Sequence, residues 1–256
     1  VKRIAELGAS DVADLCARTA EALRGAASFE AAAETFVRLL VAEFETIALA
    51  RVFGTVEFDA LEPQERRFAE DAVTGVSLFP TTEVLTLFGS AGAQPQWNER
   101  RKSAGHLAIP LLNRRSIQEA PMIARLLDDL HFSLKTEPPD ARGLATRAFA
   151  NADAICYIPD AATTVDVLGR LVVPAADFVR ESGIRTVVGV GGSYIVARMF
   201  VAILLFTTET ISSETALLLK DLAGTFKIAT TGVVRRRVLF GLGDEPANEA
   251  GSGGPL

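Results

Sequence analysis

Two cysteines, two histidines and one tryptophan in 256 residues leave little material for metal or nucleophile chemistry. Cys16 and Cys156 stand far apart with no second thiol beside either. That excludes a disulfide framework and a paired-cysteine motif, and it suits a reducing compartment where a lone thiol acts as a small hydrophobe. His106 has no second His, Cys or carboxylate at ligand spacing, so no metal or haem site is expected there. The chain also lacks a nucleophile elbow, an HExxH pair and a Walker loop. We therefore expect no cofactor, no metal and no enzymatic role. The 26 basic and 32 acidic side chains give a net charge of −6, which offers no basic footprint for nucleic acid. No apolar run is long and clean enough to cross a membrane: residues 184–206 come nearest, but Arg185, Gly189, Gly191, Gly192 and Arg198 interrupt them. Residues 1–8 contain no apolar stretch of signal-peptide length, which points to the cytoplasm, and the start at Val1 rather than Met reads as a fragment or a processed chain.

What the sequence has is apolar residues, 49% of the total, enough for one large core. Residues 10–24 carry Val12, Leu15, Cys16 and Leu23 at helical spacing, with Ser10 or Asp11 as cap. Ser28 opens a second helix whose buried stripe is Phe29, Ala33, Phe36, Val37, Leu40 and Phe44, with Glu30, Glu34 and Arg38 on the solvated side. Alternation over 47–58 then predicts a strand. A helix after Pro63, a strand at 84–88 ending at Gly89 and Gly92, and a strand at 106–112 follow, with the polar stretch 94–105 between the last two. Pro121 starts a helix running to about residue 132, and His131 sits at its C-terminal end, favourably placed against the helix dipole. Residues 135–153 predict a loop with a short helix at 144–149. Strands are expected at 155–158, 186–190 and 197–206, and Ser212 caps a long terminal helix with Leu218, Leu222, Phe226 and Ala229 on one face. Gly189-Val190-Gly191-Gly192 is similar to a phosphate cradle, but Tyr194 replaces the third glycine, so a turn between two strands is expected. The 21 arginines against 5 lysines suit a GC-rich bacterial genome.

Trp97, Arg100, Arg101 and His106 make the densest chemical cluster, an aromatic face, two guanidinium forks and an imidazole within ten residues. Planar donors suit a carboxylate or phosphate and the indole suits a flat ring. The same residues also fit a solvated surface loop with Trp97 tucked against the core edge.

IRTVVGVGG at 184–192, FVAILLF at 200–206 and ISSETALLL at 211–219 together resemble the last two strands and last helix of a GAF domain, a ligand-sensing module of bacterial signalling proteins. WNERRKSAGHLAIPL at 97–111 and APMIARLL at 120–127 are similar to segments of a GAF-like sensory subgroup. The resemblance spans most of residues 10–235. It implies an α+β fold: a GAF-like antiparallel sheet with helices packed on one face and a ligand pocket under loops on the other. It also implies one sensory domain over 1–240 with an insertion around 116–180, and a flexible tail at 241–256. By analogy with the GAF ligand face, Tyr157, Phe178, Arg185 and Arg198 join the ligand-binding candidates. Arg185 and Arg198 would hold an anion if the hairpin brings them together, and would only keep an edge soluble if they point outward. The resemblance implies no chromophore attachment, because no cysteine stands beside His106. The function expected is sensing of a small molecule, anionic or aromatic, passed on through terminal helices of a homodimer to a kinase, cyclase or transcription-activator output domain. The alternatives are a dimerisation or interaction module with a vestigial pocket, and an unrecognised enzyme.

Overall fold

The computed structural model describes residues 2–73, 75–103, 105–134 and 154–241. Six strands form one antiparallel sheet: β1 (Ile47–Glu57), β2 (Glu83–Gly92), β3 (Ala108–Pro110), β4 (Ile155–Ile158), β5 (Thr186–Ser193) and β6 (Phe200–Thr207), in the order β3-β2-β1-β6-β5-β4. β1 and β6, far apart in sequence, meet at the centre, so the two halves of the chain close around a shared seam. The expected α+β architecture, an open antiparallel sheet with helix layers, is present.

One face of the sheet is covered by α2 (Phe29–Glu43) and the long C-terminal helix, against which α1 (Ala9–Ala22) packs, and its core includes Phe29, Phe36, Phe88 and Phe226. The other face carries short helices and connecting segments: α4 (Arg114–Gln118), α5 (Pro121–Asp129) and α6 (Ala176–Glu181), over a second core of Leu85, Leu87, Leu126, Val187 and Leu204. α3 (Pro63–Asp71) stands beside β3. Period-two alternation explains the division: Ala50, Val52 and Val56 of β1 face the long helices, while Leu49 and Phe53 face the loops. A bulge between Val52 and Phe53 in the β1–β2 register resets the phase of β2 against β1.

Several boundaries differ from those the sequence suggests. Gly8, not Ser10, is the N-cap of α1; Asp11 acts from inside the first turn, its carboxylate accepting the Gly8 amide at 3.1 Å. Ser28 caps α2 as expected, accepting from Ala31 N at 3.1 Å. β2 does not stop at Gly89 but runs to Gly92, and β3 is only three residues long. Gly189, Gly191 and Gly192 lie inside β5 and not in a turn; the reversal falls at residues 195–198. The reason at Gly189 is close packing, because a Cβ there would meet Leu126 Cδ1 of α5 at 2.6 Å. Ser212 caps a short helix, α7 (Ser213–Leu218), which gives way at Leu219 to α8 (Lys220–Arg235). Leu222 and Phe226 of α8 are spent on the chain's own core, Phe226 tilting against Phe36 at 4.9 Å. His131 follows α5 with φ 56, a left-handed cap whose amide donates to Asp128 O at 3.1 Å. The loop and short helix expected at 135–153, and the tail after 241, lie outside the described residues.

Candidate binding cavity

β1 and β2 set Arg51 and Ser90 opposite each other in the sheet register. Arg51 lies between Leu49 and Phe53 in the alternation, so it points to the loop face, into a position that period two reserves for a core residue. After β2 the chain turns through two short 3-10 turns, Pro95–Asn98 and Arg100–Lys102, and returns at His106. The strand pair and this connection border a half-open cavity of about 270 Å³ lined by Arg51, Ser90, Trp97, Ser103 and His106, together with Glu99 and Lys102.

The connection is held from below. The Asn98 side chain pairs with the backbone of Gly92, Oδ1 accepting the amide at 3.0 Å and Nδ2 donating to the carbonyl at 3.2 Å, as a strand partner would. That seats Trp97 on Gly92, where a Cβ would come 2.8 Å from indole Cε3. Phe178 of α6 closes behind the indole, edge-on with ring centres 5.6 Å apart.

Electrostatically the cavity is one-sided. Arg51 is half-buried, its Nε is shut off from water, and no hydrogen-bond acceptor reaches that nitrogen. Burial lowers the guanidinium from its ordinary value to about 10. Ser103 Oγ is likewise enclosed with no partner. His106 keeps one side open to solvent, yet the protein packed around the rest of it, and after that the Arg51 charge, lower the imidazole to about 4. It is neutral at pH 7. The Lys102 ammonium is neutralised by Glu99 at 2.7 Å.

Of the sequence candidates, Trp97 and His106 meet here. Arg100 does not: it is 2% exposed and turns to the helix side, where Nε donates to Glu30 at 2.5 Å and Nη1 to Glu65 at 2.5 Å. Arg101 follows it toward Glu62 at 2.7 Å. Glu30, expected on the solvated side of α2, is therefore a buried ion-pair partner. Phe178 supports Trp97 from outside the cavity. Tyr157 is half-buried against the long-helix core, and its hydroxyl donates to Ile211 O at 2.6 Å. Arg185 and Arg198 are both exposed, and the β5–β6 register places them at opposite ends of the hairpin, one before Thr186 and the other before Phe200. They do not converge on one anion. Arg185 instead lines a separate, largely apolar cavity of about 310 Å³ with Leu171, Val173, Val179 and Ile184. Arg51, Ser90 and Ser103 were not among the sequence candidates; the signal for Arg51 was an arginine in the middle of an alternating strand.

Among the described residues, no three His, Cys, Asp or Glu side chains are grouped to hold a metal ion, and no helix is long and apolar enough to cross a membrane. Fold and cavity together define an α+β domain with a half-open, positively biased cavity on its loop face. No family model matches the chain, and no curated protein sequence matches it. Among solved structures it is similar to the GAF domain of an Acinetobacter phosphoenolpyruvate-protein phosphotransferase, with 11% identity and a TM-score of 0.44 over 86% of this chain and 92% of that one. It is also similar to the phycocyanobilin-bound GAF domain of a cyanobacterial phytochrome, with 11% identity and a TM-score of 0.43 over 89% and 96% of the two chains. A third is the chromophore-binding domain of an unusual bacteriophytochrome from R. palustris, with 8% identity and a TM-score of 0.43 over 88% of this chain and 62% of that one. The likeness is one of fold.

Proposed function

We propose that the chain is the small-molecule-sensing regulatory domain of a bacterial signalling protein, with the cavity of Arg51, Trp97 and His106 as its ligand site. The observation that carries this reading is Arg51, a guanidinium held in a recess with its Nε desolvated and unbonded. Such a group costs free energy in the empty protein and gains it back from a ligand. Binding fits the site better than catalysis. His106 is neutral at pH 7 and its charged influence is the Arg51 cation, which cannot orient it as a general base the way a carboxylate would.

A route from cavity to chain end supports a regulatory role. The segment that frames the cavity also carries Arg100, which grips Glu30 at the start of α2. The other Glu30 oxygen accepts the Gly241 amide at 2.8 Å, and the first α2 amides, Phe29 and Glu30, donate to Val238 and Leu239 carbonyls at 2.9 and 2.8 Å. A shift of the 94–106 segment would thus reach residues 238–241, just past α8, through a single carboxylate. α1 packs along α8, so both terminal helices sit on this path. The remaining parts of the proposal are a cytoplasmic location, a homodimer and a kinase, cyclase or transcription-activator output. With Leu222 and Phe226 buried, a dimer would use the outer side of α8, where Ile228 is 79% exposed.

Thermal-shift screening of the purified chain against a metabolite panel tests the reading, with Ser90→Phe as the control that fills the cavity from β2. A saturable ligand that raises Tm in the parent chain and not in Ser90→Phe is the expected result. A ligand that stabilises both equally would place sensing elsewhere.

A further inference from the structure

The charge count around the cavity narrows the ligand further, on the footing that this cavity is the ligand site. Arg51 contributes one positive charge. Lys102 contributes another, but Glu99 cancels it at 2.7 Å. His106 is neutral. The lining therefore carries one surplus positive charge, on a planar fork whose buried Nε–H has no acceptor, beside a Ser103 hydroxyl that also has none. A cation would meet like-charge repulsion, and a neutral ligand would leave the guanidinium desolvated and uncompensated. A dianion would call on a second charge, and the only other cation of the lining, Lys102, is already offset by Glu99 at 2.7 Å. A monoanion completes the set, and a carboxylate matches the planar guanidinium in geometry.

The body of the ligand is constrained by the opposite wall. Trp97 is fixed by Gly92 beneath it and Phe178 behind it, so its free surface is a rigid apolar plate. A cavity of about 270 Å³ has room for a small metabolite and not for a large ring system.

We propose that the cavity selects small organic monocarboxylates, with the carboxylate against the Arg51 guanidinium and the apolar body against Trp97.

Trp97 is the chain's one tryptophan, so its fluorescence reports on this cavity alone. The test titrates the full chain at pH 7 with benzoate, benzamide and benzamidinium, three near-isosteric probes of charge minus one, zero and plus one, and with phenyl phosphate as the dianion. Benzoate is expected to bind at least about tenfold more tightly than the other three, the scale of one charge-assisted hydrogen bond. Arg51→Met should weaken benzoate about tenfold or more and leave benzamide unchanged. Equal or tighter binding of benzamide, benzamidinium or phenyl phosphate overturns the charge selection while leaving the cavity a ligand site. No saturable Trp97 response to any probe overturns the selection and also counts against the site. The probe series on the unaltered chain decides the question even where Arg51→Met fails to fold.

Discussion

Arg100 Nη1 lies 2.5 Å from Glu65 Oε1, and the Glu65 side chain has no solvent-exposed surface at all. The same guanidinium holds Glu30, so one cation joins α2, α3 and the segment that frames the cavity. Two carboxylates that left water depend on it: without it Glu65 keeps only the longer Arg101 contact at 3.7 Å, and Glu30 keeps Arg101 at 3.5 Å and the Gly241 amide. Arg100→Met is expected to destabilise the fold by about 3–5 kcal/mol. Urea unfolding measures this directly. Adding Glu30→Gln and Glu65→Gln to Arg100→Met should restore part of the loss, because neutral amides tolerate burial better than unpaired anions. A single-variant cost below about 1 kcal/mol, the scale of a surface pair, would mean that water reaches the cluster.

Gly92 carries a second prediction. A methyl group there would sit 2.5 Å from Ala48 O and 2.8 Å from Trp97 Cε3, and neither the strand backbone nor the clamped indole can yield cheaply. Gly92→Ala should cost about 1–3 kcal/mol through overpacking. It should also shift Trp97 emission, since the ring has to leave its seat. Unchanged emission with full stability would show that the indole is not fixed by Gly92.

Much of the fold was legible in the sequence because it depends on local rules. Helical spacing and Ser28 located α2, and alternation located β1. The resemblance to GAF domains supplied the expected placement of long helices and loops on opposite faces of the sheet. What stayed hidden depends on partners distant in sequence. Glu30 looks like any helix-surface glutamate, and only Arg100, 70 residues later, makes it a buried one. Gly89 looks like a strand end because glycine is poor in strands, yet β2 continues through it because the Ala33 carbonyl of α2 leaves no room for a Cβ, which would sit 2.6 Å away. Arg100 and Arg101 showed the right chemistry for an anion, and Arg51 turned out to face the cavity. A guanidinium's role is set by which carboxylates the fold brings to it, and the sequence shows guanidinium and carboxylate without showing the pairing.

The buried thiol gives a third prediction. Cys156 is 1% exposed, and burial first, then the nearby Asp129 charge, raises its pKa well above the ordinary thiol range. Only the thiolate reacts with disulfide reagents. In an Ellman titration of the native chain at pH 8, Cys156 is expected to stay silent until denaturant is added. Prompt reaction of Cys156 in the native protein would show that the α5–β4 contact opens readily.

Glu209 ties the start of the chain to the end of β6. Its carboxylate accepts from Ala5 N at 2.8 Å, Thr46 Oγ1 at 2.8 Å and Arg3 Nε at 3.0 Å. Burial alone would raise its pKa, but the Ala5 amide, the Thr46 hydroxyl and Arg3 outweigh burial and leave it below the ordinary glutamate value. A carboxylate lowered in the folded state stabilises the fold above its unfolded pKa, and that stabilisation is lost as pH falls toward the folded value. Glu209→Gln should therefore cost about 1–3 kcal/mol at pH 7, through weakened charge-assisted bonds. The gap between parent and variant should narrow steadily below about pH 4.5, because protonation gives the parent a neutral group as well. Urea midpoints of both chains at pH 7 and at pH 3.5 decide this. A gap that stays constant across the two would assign the cost of the substitution to lost packing and not to the carboxylate's charge.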